Sequence, residues 1–220
     1  MIRHPRRSGP ALDQALLERL RALQPASLGH HLSEGFLSPK IRALVPGRML
    51  GRAVTVRQPL PDAEPVHRVL DALRPGDVLV IDRCGDDRIA CVGEMVALAA
   101  RTAGAAGIVV DGVVTDIAEI AAMGLPLFAR GTSVVTTRPL RVPGAELFGT
   151  ICPGGVALQD GDLIFGDENG LLRLAPDRHD LAALVARAEA DEAREVDWRQ
   201  RLAGGESLAV LNGYDAETRP

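Results

Sequence analysis

The sequence predicts an α/β protein in which buried parallel strands alternate with short helices. Two apolar runs, DVLVI at 77–81 and GIVV at 107–110, are short and unbroken, which is typical of strands buried on both faces. Segments with apolar residues at helical spacing follow each run, and this alternation favours a sheet covered by helices. With 220 residues, the chain is predicted to form a single domain over residues 1–220, with a core at about 25–177.

The N-terminal part predicts helices followed by an extended link. Residues 11–24 place leucines at helical spacing between charged side chains, so we expect an amphipathic helix that is ended by Pro25. A second short helix is expected within 26–36. Two prolines and a glycine make 38–47 (SPKIRALVPG) typical of an extended link to the first strand.

The middle of the chain carries the alternation of strands and helices. Besides the two apolar runs, strands are predicted at 48–58, where residues alternate, and at 125–131 (LPLFARG). Helical spacing predicts three helices, at 65–73, 93–105 and 116–124.

The last third is predicted to be β-rich and to end in a long helix. From 138 onward, glycine and proline turns separate short strands, and DENG at 167–170 is typical of a hairpin turn. A charged helix is expected at about 180–203, capped by Asp180 and stopped by two glycines. Its acidic residues are expected to form a solvated face; they are Glu189, Asp191, Glu192 and Glu195.

Composition excludes several classes of function. A net charge of -4 and an aromatic content of 3% argue against a nucleic-acid partner, which needs a basic surface and stacking side chains. No stretch approaches the roughly eighteen apolar residues of a membrane span, so no membrane partner is expected. The N-terminus lacks the apolar region of a signal peptide, and we therefore expect a cytoplasmic location.

The cysteines and histidines do not suggest a metal cluster. Cys84, Cys91 and Cys152 are odd in number and lack CxxC spacing, which argues against a disulfide framework and a structural zinc site. We expect all three to be small, buried or half-buried apolar residues. His30 and His31 are adjacent, so they point in different directions on a helix and are more typical of a helix end or an interface.

A glycine followed by a helix start, at Gly93 and Glu94, is the first candidate site. Unpaired N–H groups at a helix N-terminus, with the positive end of the dipole, attract a carboxylate or a phosphate. The simpler interpretation is that Gly93 relieves crowding and Glu94 complements the dipole. On this motif alone, the simpler interpretation is favoured.

The stretch VVDGVVTD, residues 109–116, is a sharper signal. Asp111 and Asp116 are predicted at the end of a buried strand, the usual place of active sites in α/β proteins. A carboxylate there can bind a hard cation such as Mg²⁺, which prefers oxygen ligands and keeps several waters. Alternatively, Asp116 is the N-cap of the next helix and Asp111 is a turn residue. Spacing favours the turn for Asp111 and leaves Asp116 undecided.

Several of these motifs together resemble the RraA-like family, which contains the regulator of ribonuclease E activity and the 4-hydroxy-4-methyl-2-oxoglutarate aldolases. The resemblance runs from about Leu32 to Gly205 and rests on the stretches 93–120, 125–131 and 152–176 and on the glycine-terminated last helix. It implies an αββα swivelling-domain-like core. It also implies trimers, sometimes paired into hexamers, with active sites between subunits.

The resemblance implies roles for particular residues. In the aldolases, backbone amides after the first motif bind the carboxylate of a pyruvate unit, and these positions are Met95 and Val96 here; Gly93 and Asp111 are grouped with them as substrate-binding candidates. The metal-binding aspartate of the family, which holds Mg²⁺ or Mn²⁺, corresponds to Asp116.

Two glutamates complete the site that the resemblance implies. Glu94 matches an acid that contacts metal-bound water. A glutamate from the last helix of a neighbouring subunit is expected to join it, and the pattern ExxxRxxLxxG favours Glu195, with Glu192 as the alternative.

Thr115 departs from the aldolase pattern, in which an arginine binds the pyruvyl group. A guanidinium provides a charged bidentate contact that a hydroxyl does not, and loss of such a donor typically costs ~3 to 4 kcal/mol of transition-state stabilisation. Arg101 and Arg130 are the candidates to replace it. The regulators lack the metal-binding aspartate, whereas this chain keeps Asp116.

Two hypotheses follow. The first is a Mg²⁺- or Mn²⁺-dependent aldolase or decarboxylase that acts on a 2-oxo acid through an enolate of the pyruvate type, with Asp116, Glu94, Thr115 and Glu195 in the catalytic site. Schiff-base chemistry is disfavoured because Lys40, the only lysine, lies away from the acidic residues. The second is a binding or regulatory protein that has lost the chemistry.

Overall fold

The computed structural model describes residues 1–6 and 13–214 and confirms the α/β class. The helices are α1 (Gln14–Ala22), α2 (Pro25–Gly29), α3 (Glu64–Leu70), α4 (Glu94–Thr102), α5 (Ile117–Met123), α6 (Leu181–Ala203) and α7 (Leu208–Leu211). The strands are β1 (Ile2–Arg3), β2 (Arg42–Val45), β3 (Met49–Arg57), β4 (Asp77–Asp82), β5 (Gly107–Val114), β6 (Leu127–Thr132), β7 (Glu146–Leu147), β8 (Leu163–Asp167) and β9 (Gly170–Leu174). In this part of the chain, no helix combines the length and apolarity needed to cross a bilayer.

The chain folds as two compact units. The first comprises Met1–Leu12 and Leu32–His179, and the second comprises Asp13–His31 and Asp180–Pro220. Positions 11 and 12 of the predicted first helix lie outside the described residues.

The first unit is built on a parallel sheet. Strands β3, β4, β5 and β6 are adjacent and parallel, with Arg52 opposite Asp77 and Asp82 opposite Asp111. The predicted link at 38–47 contains β2, which pairs antiparallel with β6 at one edge. The predicted hairpin is confirmed as β8 and β9, and β8 also pairs with the first half of β3.

Apolar side chains cover both faces of this sheet, which explains the unbroken apolar runs. One face packs against α3, α4 and α5, with Leu79 and Val110 fully buried under them. On the other face, Val80 and Val109 pack in a second apolar cluster with Ile164 of β8 and Leu171 of β9.

Buried aspartates at the sheet's carboxyl edge hold a connecting turn at Cys152–Gly155, which we call the anchored turn. The N–H of Cys152 donates to Asp82 Oδ2 at 3.0 Å, and that of Gly154 donates to Asp111 Oδ2 at 2.8 Å. Asp82 and Asp111 are each 6% exposed. Charge-assisted hydrogen bonds from backbone N–H groups to buried carboxylates thus tie this turn to two neighbouring strands.

Asp62 is a third buried aspartate, and it gives the first unit an acid-sensitive contact. At 3% exposure, its carboxylate accepts N–H groups of Glu64 and Leu140 at 3.1 Å and of Val142 at 2.9 Å. Burial raises the pKa of Asp62, but these backbone hydrogen bonds outweigh it and hold the pKa below its ordinary value. The resulting stabilisation is present above the pKa of the unfolded chain and is lost as pH falls through the lower folded value.

We therefore expect Asp62→Asn to lower the free energy of unfolding by ~1.5 to 3 kcal/mol at pH 6, because charged hydrogen bonds are replaced. The difference from wild type should narrow at pH 3. Urea unfolding at both pH values measures it, with the exposed Asp87→Asn as control. Equal differences at the two pH values would contradict a role for the Asp62 charge.

The second unit consists of α1, α2, α6 and α7. Asp13 caps α1 by accepting the Ala15 N–H at 3.2 Å. The prediction that Pro25 ends this helix is wrong: α1 stops at Ala22, and Pro25 is the first residue of α2, where a missing N–H has no cost. Asp180 caps α6 as predicted, by accepting the Ala183 N–H at 3.0 Å.

The prediction of a solvated acidic face on α6 is wrong for Asp191 and Glu192, which bind residues of α2 or next to it. The side chains of Glu189 and Glu195 stay 40% and 45% exposed. Glu189 forms an ion pair with Arg19 of α1 at 2.6 Å. Glu192 Oε1 accepts the Gln24 N–H at 2.9 Å and the Ser27 hydroxyl at 2.6 Å. Glu192 thus satisfies a free N–H group at the start of α2, and Glu189 adds a side-chain ion pair to α1.

Candidate active site

Asp116 lies just beyond β5, in an unusual backbone conformation. Its φ of 56° and ψ of 41° are left-handed, which is uncommon for a residue other than glycine. Asp116 precedes α5, as the N-cap interpretation requires, but its side chain does not cap that helix. Instead, Oδ2 accepts the N–H of Glu94 at 2.9 Å. The exposed carboxylate therefore lies at the N-terminus of α4, 22 positions earlier in the chain.

Gly93 makes this approach possible. A Cβ atom at Gly93 would lie 2.5 Å from Asp116 Oδ2 and 2.9 Å from Thr115 Cγ2. The φ of −134° and ψ of −168° at Gly93 are extended and open to any residue. Space, rather than backbone freedom, thus favours glycine while the Asp116 carboxylate keeps this position.

The start of α4 provides hydrogen-bond donors beside the carboxylate. The first hydrogen bond of the helix is from the Ala97 N–H to the Gly93 carbonyl. Of the three preceding N–H groups, that of Glu94 is bound by Asp116, while those of Met95 and Val96 have no acceptor among the described residues. Two free donors at the positive end of a helix are suited to a carboxylate ligand.

Thr115 links this site to the loop before α4. Its N–H donates to the Val92 carbonyl at 2.9 Å, and its hydroxyl donates to Asp116 Oδ1 at 3.2 Å. Among the described residues, no guanidinium forms a hydrogen bond or ion pair with Asp116. Arg101 lies in the last turn of α4, at the end opposite to Glu94, and Arg130 donates from Nε to Asp111.

Asp111 is not at the end of its strand, and the predictions of a strand end and of a turn residue are both wrong. β5 continues to Val114 through an irregularity in its pairing with β6 between Val110 and Val113, typical of a bulge. One carboxylate oxygen of Asp111 accepts from Arg130, and the other accepts the Gly154 N–H. Its substrate-binding role stays a prediction that this geometry does not favour.

The two glutamates predicted from α6 belong to the second unit, whereas Asp116 and Glu94 belong to the first. Glu195 is half-buried and pairs with Arg199 of its own helix at 2.8 Å. Glu192 holds α2, so Glu195 is the less engaged carboxylate of the two.

The donor set at Asp116 suits a hard divalent cation. Within 1–6 and 13–214, no group of three His, Cys, Asp or Glu side chains is placed to chelate a metal. Mg²⁺, however, is commonly held by one or two carboxylates with several waters and the substrate. The exposed Asp116, with the exposed Glu94 next to it, fits this kind of site.

The other predicted clusters have structural explanations. His30 ends α2 and His31 Nε2 lies 2.8 Å from Asp191, which agrees with a helix end. Of the cysteines, Cys91 is buried as predicted. Cys84 and Cys152 are exposed, so that prediction was wrong for both. Cys84 lies just after β4 and Cys152 lies in the anchored turn, so neither is within an apolar run.

Sequence reasoning missed two apolar residues beside the site. Val134 and Val135 are 95% and 55% exposed, although both are β-branched. The Val135 carbonyl accepts the Ala90 N–H at 2.8 Å, which holds this segment against the loop that leads to α4. Two adjacent valines show neither strand nor helix periodicity, so their exposure could not be predicted and only the structure identifies it.

Comparisons with known proteins agree with this architecture. A family model described as Aldolase/RraA, RraA-like, matches residues 26–173. A Halalkalibacterium halodurans protein named "Putative 4-hydroxy-4-methyl-2-oxoglutarate aldolase" is 35% identical over 150 residues, covering 67% of this chain and 70% of that protein.

Two solved structures are similar over most of their length. An uncharacterized protein from Pseudomonas syringae pv. tomato has a TM-score of 0.80 and 27% identity, with 96% of this chain and 99% of that chain covered. The RNA-processing inhibitor RraA from Thermus thermophilis has a TM-score of 0.63 and 28% identity, with 69% and 92% covered. The chain belongs to the RraA-like family.

Proposed function

We propose that this protein is a divalent-cation-dependent carbon–carbon lyase, an aldolase or decarboxylase, acting on a small 2-oxo acid. The observation that carries the proposal is the contact of the exposed Asp116 carboxylate with the N-terminus of α4. It brings a potential cation ligand and two free N–H donors together. The name of the Halalkalibacterium halodurans relative supports the same class of reaction.

Each residue has a role in this proposal. Asp116 would hold Mg²⁺ or Mn²⁺, and Glu94 would accept hydrogen bonds from water beside it. The N–H groups of Met95 and Val96 orient the substrate carboxylate. The cation, when bound, supplies Lewis acidity at the 2-oxo group. Glu94, together with Glu195 from a neighbouring subunit, moves protons to and from the substrate carbon or its leaving group.

Thr115 limits which substrates this site can use. Its hydroxyl is directed to Asp116 and carries no charge, so the substrate lacks the bidentate partner that an arginine would provide. We therefore assign to this chain substrates whose reaction depends on the cation and the helix N-terminus alone. Oxaloacetate, whose decarboxylation is chemically easy, is the simplest of these.

Association of subunits belongs to the same proposal. Met95 and Leu98 of α4 are 71% and 40% exposed, and Val134, 95% exposed, follows Ser133, whose N–H donates to the Val114 carbonyl at the end of β5. Apolar side chains around a polar site are typical of a surface that a partner covers. A homotrimer, or a hexamer of two trimers, would bring Glu195 of one subunit to Asp116 of another; analytical ultracentrifugation measures this state.

Thr115 also supports a second candidate, a binding or regulatory protein without catalysis. The Thermus thermophilis structure is named as an RNA-processing inhibitor, so the family fold also serves inhibition. In this case, the trimer would persist without turnover.

The test is pyruvate release from oxaloacetate and from 4-hydroxy-4-methyl-2-oxoglutarate, with Mg²⁺ or Mn²⁺ and with chelator. Wild type is compared with Asp116→Ala, with Thr115→Arg and with Glu119→Ala, a control for an exposed acid of α5 outside the site. Mn²⁺ affinity is measured separately by titration calorimetry.

We expect cation-dependent turnover in wild type and in Glu119→Ala, and none in Asp116→Ala. Activity only in Thr115→Arg would mean that the cation site is competent and the substrate differs. Absence of both Mn²⁺ binding and turnover in all variants would favour the regulatory protein.

A further inference from the structure

Two exposed cysteines of the first unit converge on one carboxylate. The N–H of Cys84 donates to Asp82 Oδ1 at 2.7 Å, and the N–H of Cys152 donates to Asp82 Oδ2 at 3.0 Å. The two residues are 68 positions apart in the chain, and both thiols are free. Asp82 itself is 6% exposed, so the anchor between them is fixed in the sheet.

This arrangement is compatible with a disulfide. The two oxygens of one carboxylate share a carbon and lie on the order of 2 Å apart, so the two backbones meet at the same end of β4. A disulfide spans Cα atoms that are ~4.4 to 6.8 Å apart. Cys84 also has a φ of 53°, an uncommon conformation that turns the chain sharply after β4.

The surroundings distinguish Cys84 from the third cysteine. Partial burial and the Asp82 carboxylate raise the pKa of the Cys84 thiol, while a hydrogen bond with Arg57 acts in the opposite direction. Cys91 lies in the apolar cluster under α4, where burial raises its pKa to about 12. Because the thiolate is the reactive form, Cys91 is the internal control for an unreactive cysteine.

We propose that Cys84 and Cys152 form a reversible disulfide when the protein meets a low-molecular-weight disulfide such as glutathione disulfide. The thiolate of one cysteine attacks a sulfur of glutathione disulfide, and one glutathione leaves as a thiolate. The thiolate of the other cysteine then attacks the mixed disulfide at the protein sulfur and releases the second glutathione. The protein loses two electrons and two protons, and two reduced glutathione molecules result.

The consequence is a covalent link between the end of β4 and the anchored turn. The loop that follows Cys84 leads to Gly93 and Glu94, so the link would fix one end of this loop. The inference does not depend on the proposed lyase activity, because the disulfide is detected chemically.

The experiment uses the full-length chain. Reduced protein is incubated with glutathione disulfide, quenched with acid, unfolded, alkylated with iodoacetamide and analysed by intact mass and peptide mapping. We expect wild type to lose two hydrogens, to retain no glutathione and to be alkylated at Cys91 alone. The peptide map should show Cys84 joined to Cys152, and dithiothreitol should reverse the change.

Single variants complete the test. In Cys84→Ser and in Cys152→Ser, the remaining exposed cysteine should retain one glutathione, because no second thiolate can displace it. The inference is overturned if wild type retains glutathione on Cys84 and Cys152 without a cross-link, if neither thiol reacts, or if the cross-link joins either residue to Cys91 or to a second chain.

Discussion

Alanine in place of Gly93 is expected to remove most cation binding and lyase activity while the protein remains folded. The added Cβ would lie 2.5 Å from Asp116 Oδ2, closer than such atoms approach, so the carboxylate must move away from the Glu94 N–H. Displacement of a reacting group by ~1 Å can lower the rate ~10²-fold. The extended backbone of Gly93 accepts alanine, and added volume typically costs ~1 to 3 kcal/mol.

Gly131→Ala is the matched control, because a Cβ there would meet only Val113 Cγ1 at 3.9 Å. Mn²⁺ titration, pyruvate release and urea unfolding are measured for both variants. Wild-type Mn²⁺ affinity in a folded Gly93→Ala would show that the contact between Asp116 and α4 is not needed for binding.

Replacement of Arg173 by methionine is expected to give the largest loss of stability. Arg173 in β9 and Asp162 before β8 are each 5% exposed, and Arg173 Nε lies 2.8 Å from Asp162 Oδ2. Removal of Arg173 leaves the buried Asp162 carboxylate without its counter-charge and with the Gln159 N–H, at 2.9 Å, as a remaining donor. Breaking a buried ion pair in this way typically costs ~3 to 5 kcal/mol. The free energy of unfolding in urea at neutral pH measures this loss.

The double variant Arg173→Met with Asp162→Leu should be destabilised by less than the sum of the two single variants, because no unpaired charge remains. Arg68→Met is the control: Arg68 forms an exposed pair with Glu64 at 2.6 Å, and such pairs contribute ~0 to 1 kcal/mol. A loss of this small size in Arg173→Met would show that solvent reaches the Asp162 carboxylate after the substitution.

The fold was largely predictable from the sequence because its signals are local. The apolar runs of β4 and β5 and the helical spacing of α4 each specify one element. Element ends were less predictable. β5 continues past Asp111, where a strand end was predicted, because its neighbour β6 accommodates the irregular pairing. This is a tertiary effect that residue periodicity does not contain.

Contacts between segments that are distant in the sequence could not be predicted from residue spacing. Resemblance to the family, not periodicity, indicated that Glu94 and Asp116 share a site. Glu192 was predicted to face solvent because its partners, Gln24 and Ser27, lie far away in the sequence. Cys152 was expected to be buried because its type is usually buried, whereas its backbone, not its thiol, makes the contact with Asp82.

Three aspartates near the carboxyl ends of β4 and β5 have different roles. Asp82 and Asp111 are buried and bound by backbone N–H groups of the anchored turn. The Asp116 carboxylate is exposed and, within the described part of the chain, forms hydrogen bonds with the start of α4 and with Thr115. Substitutions at positions 115 and 116 therefore leave the ties of the turn intact. The chemistry beside α4 can thus be changed without loss of the contacts that hold the anchored turn.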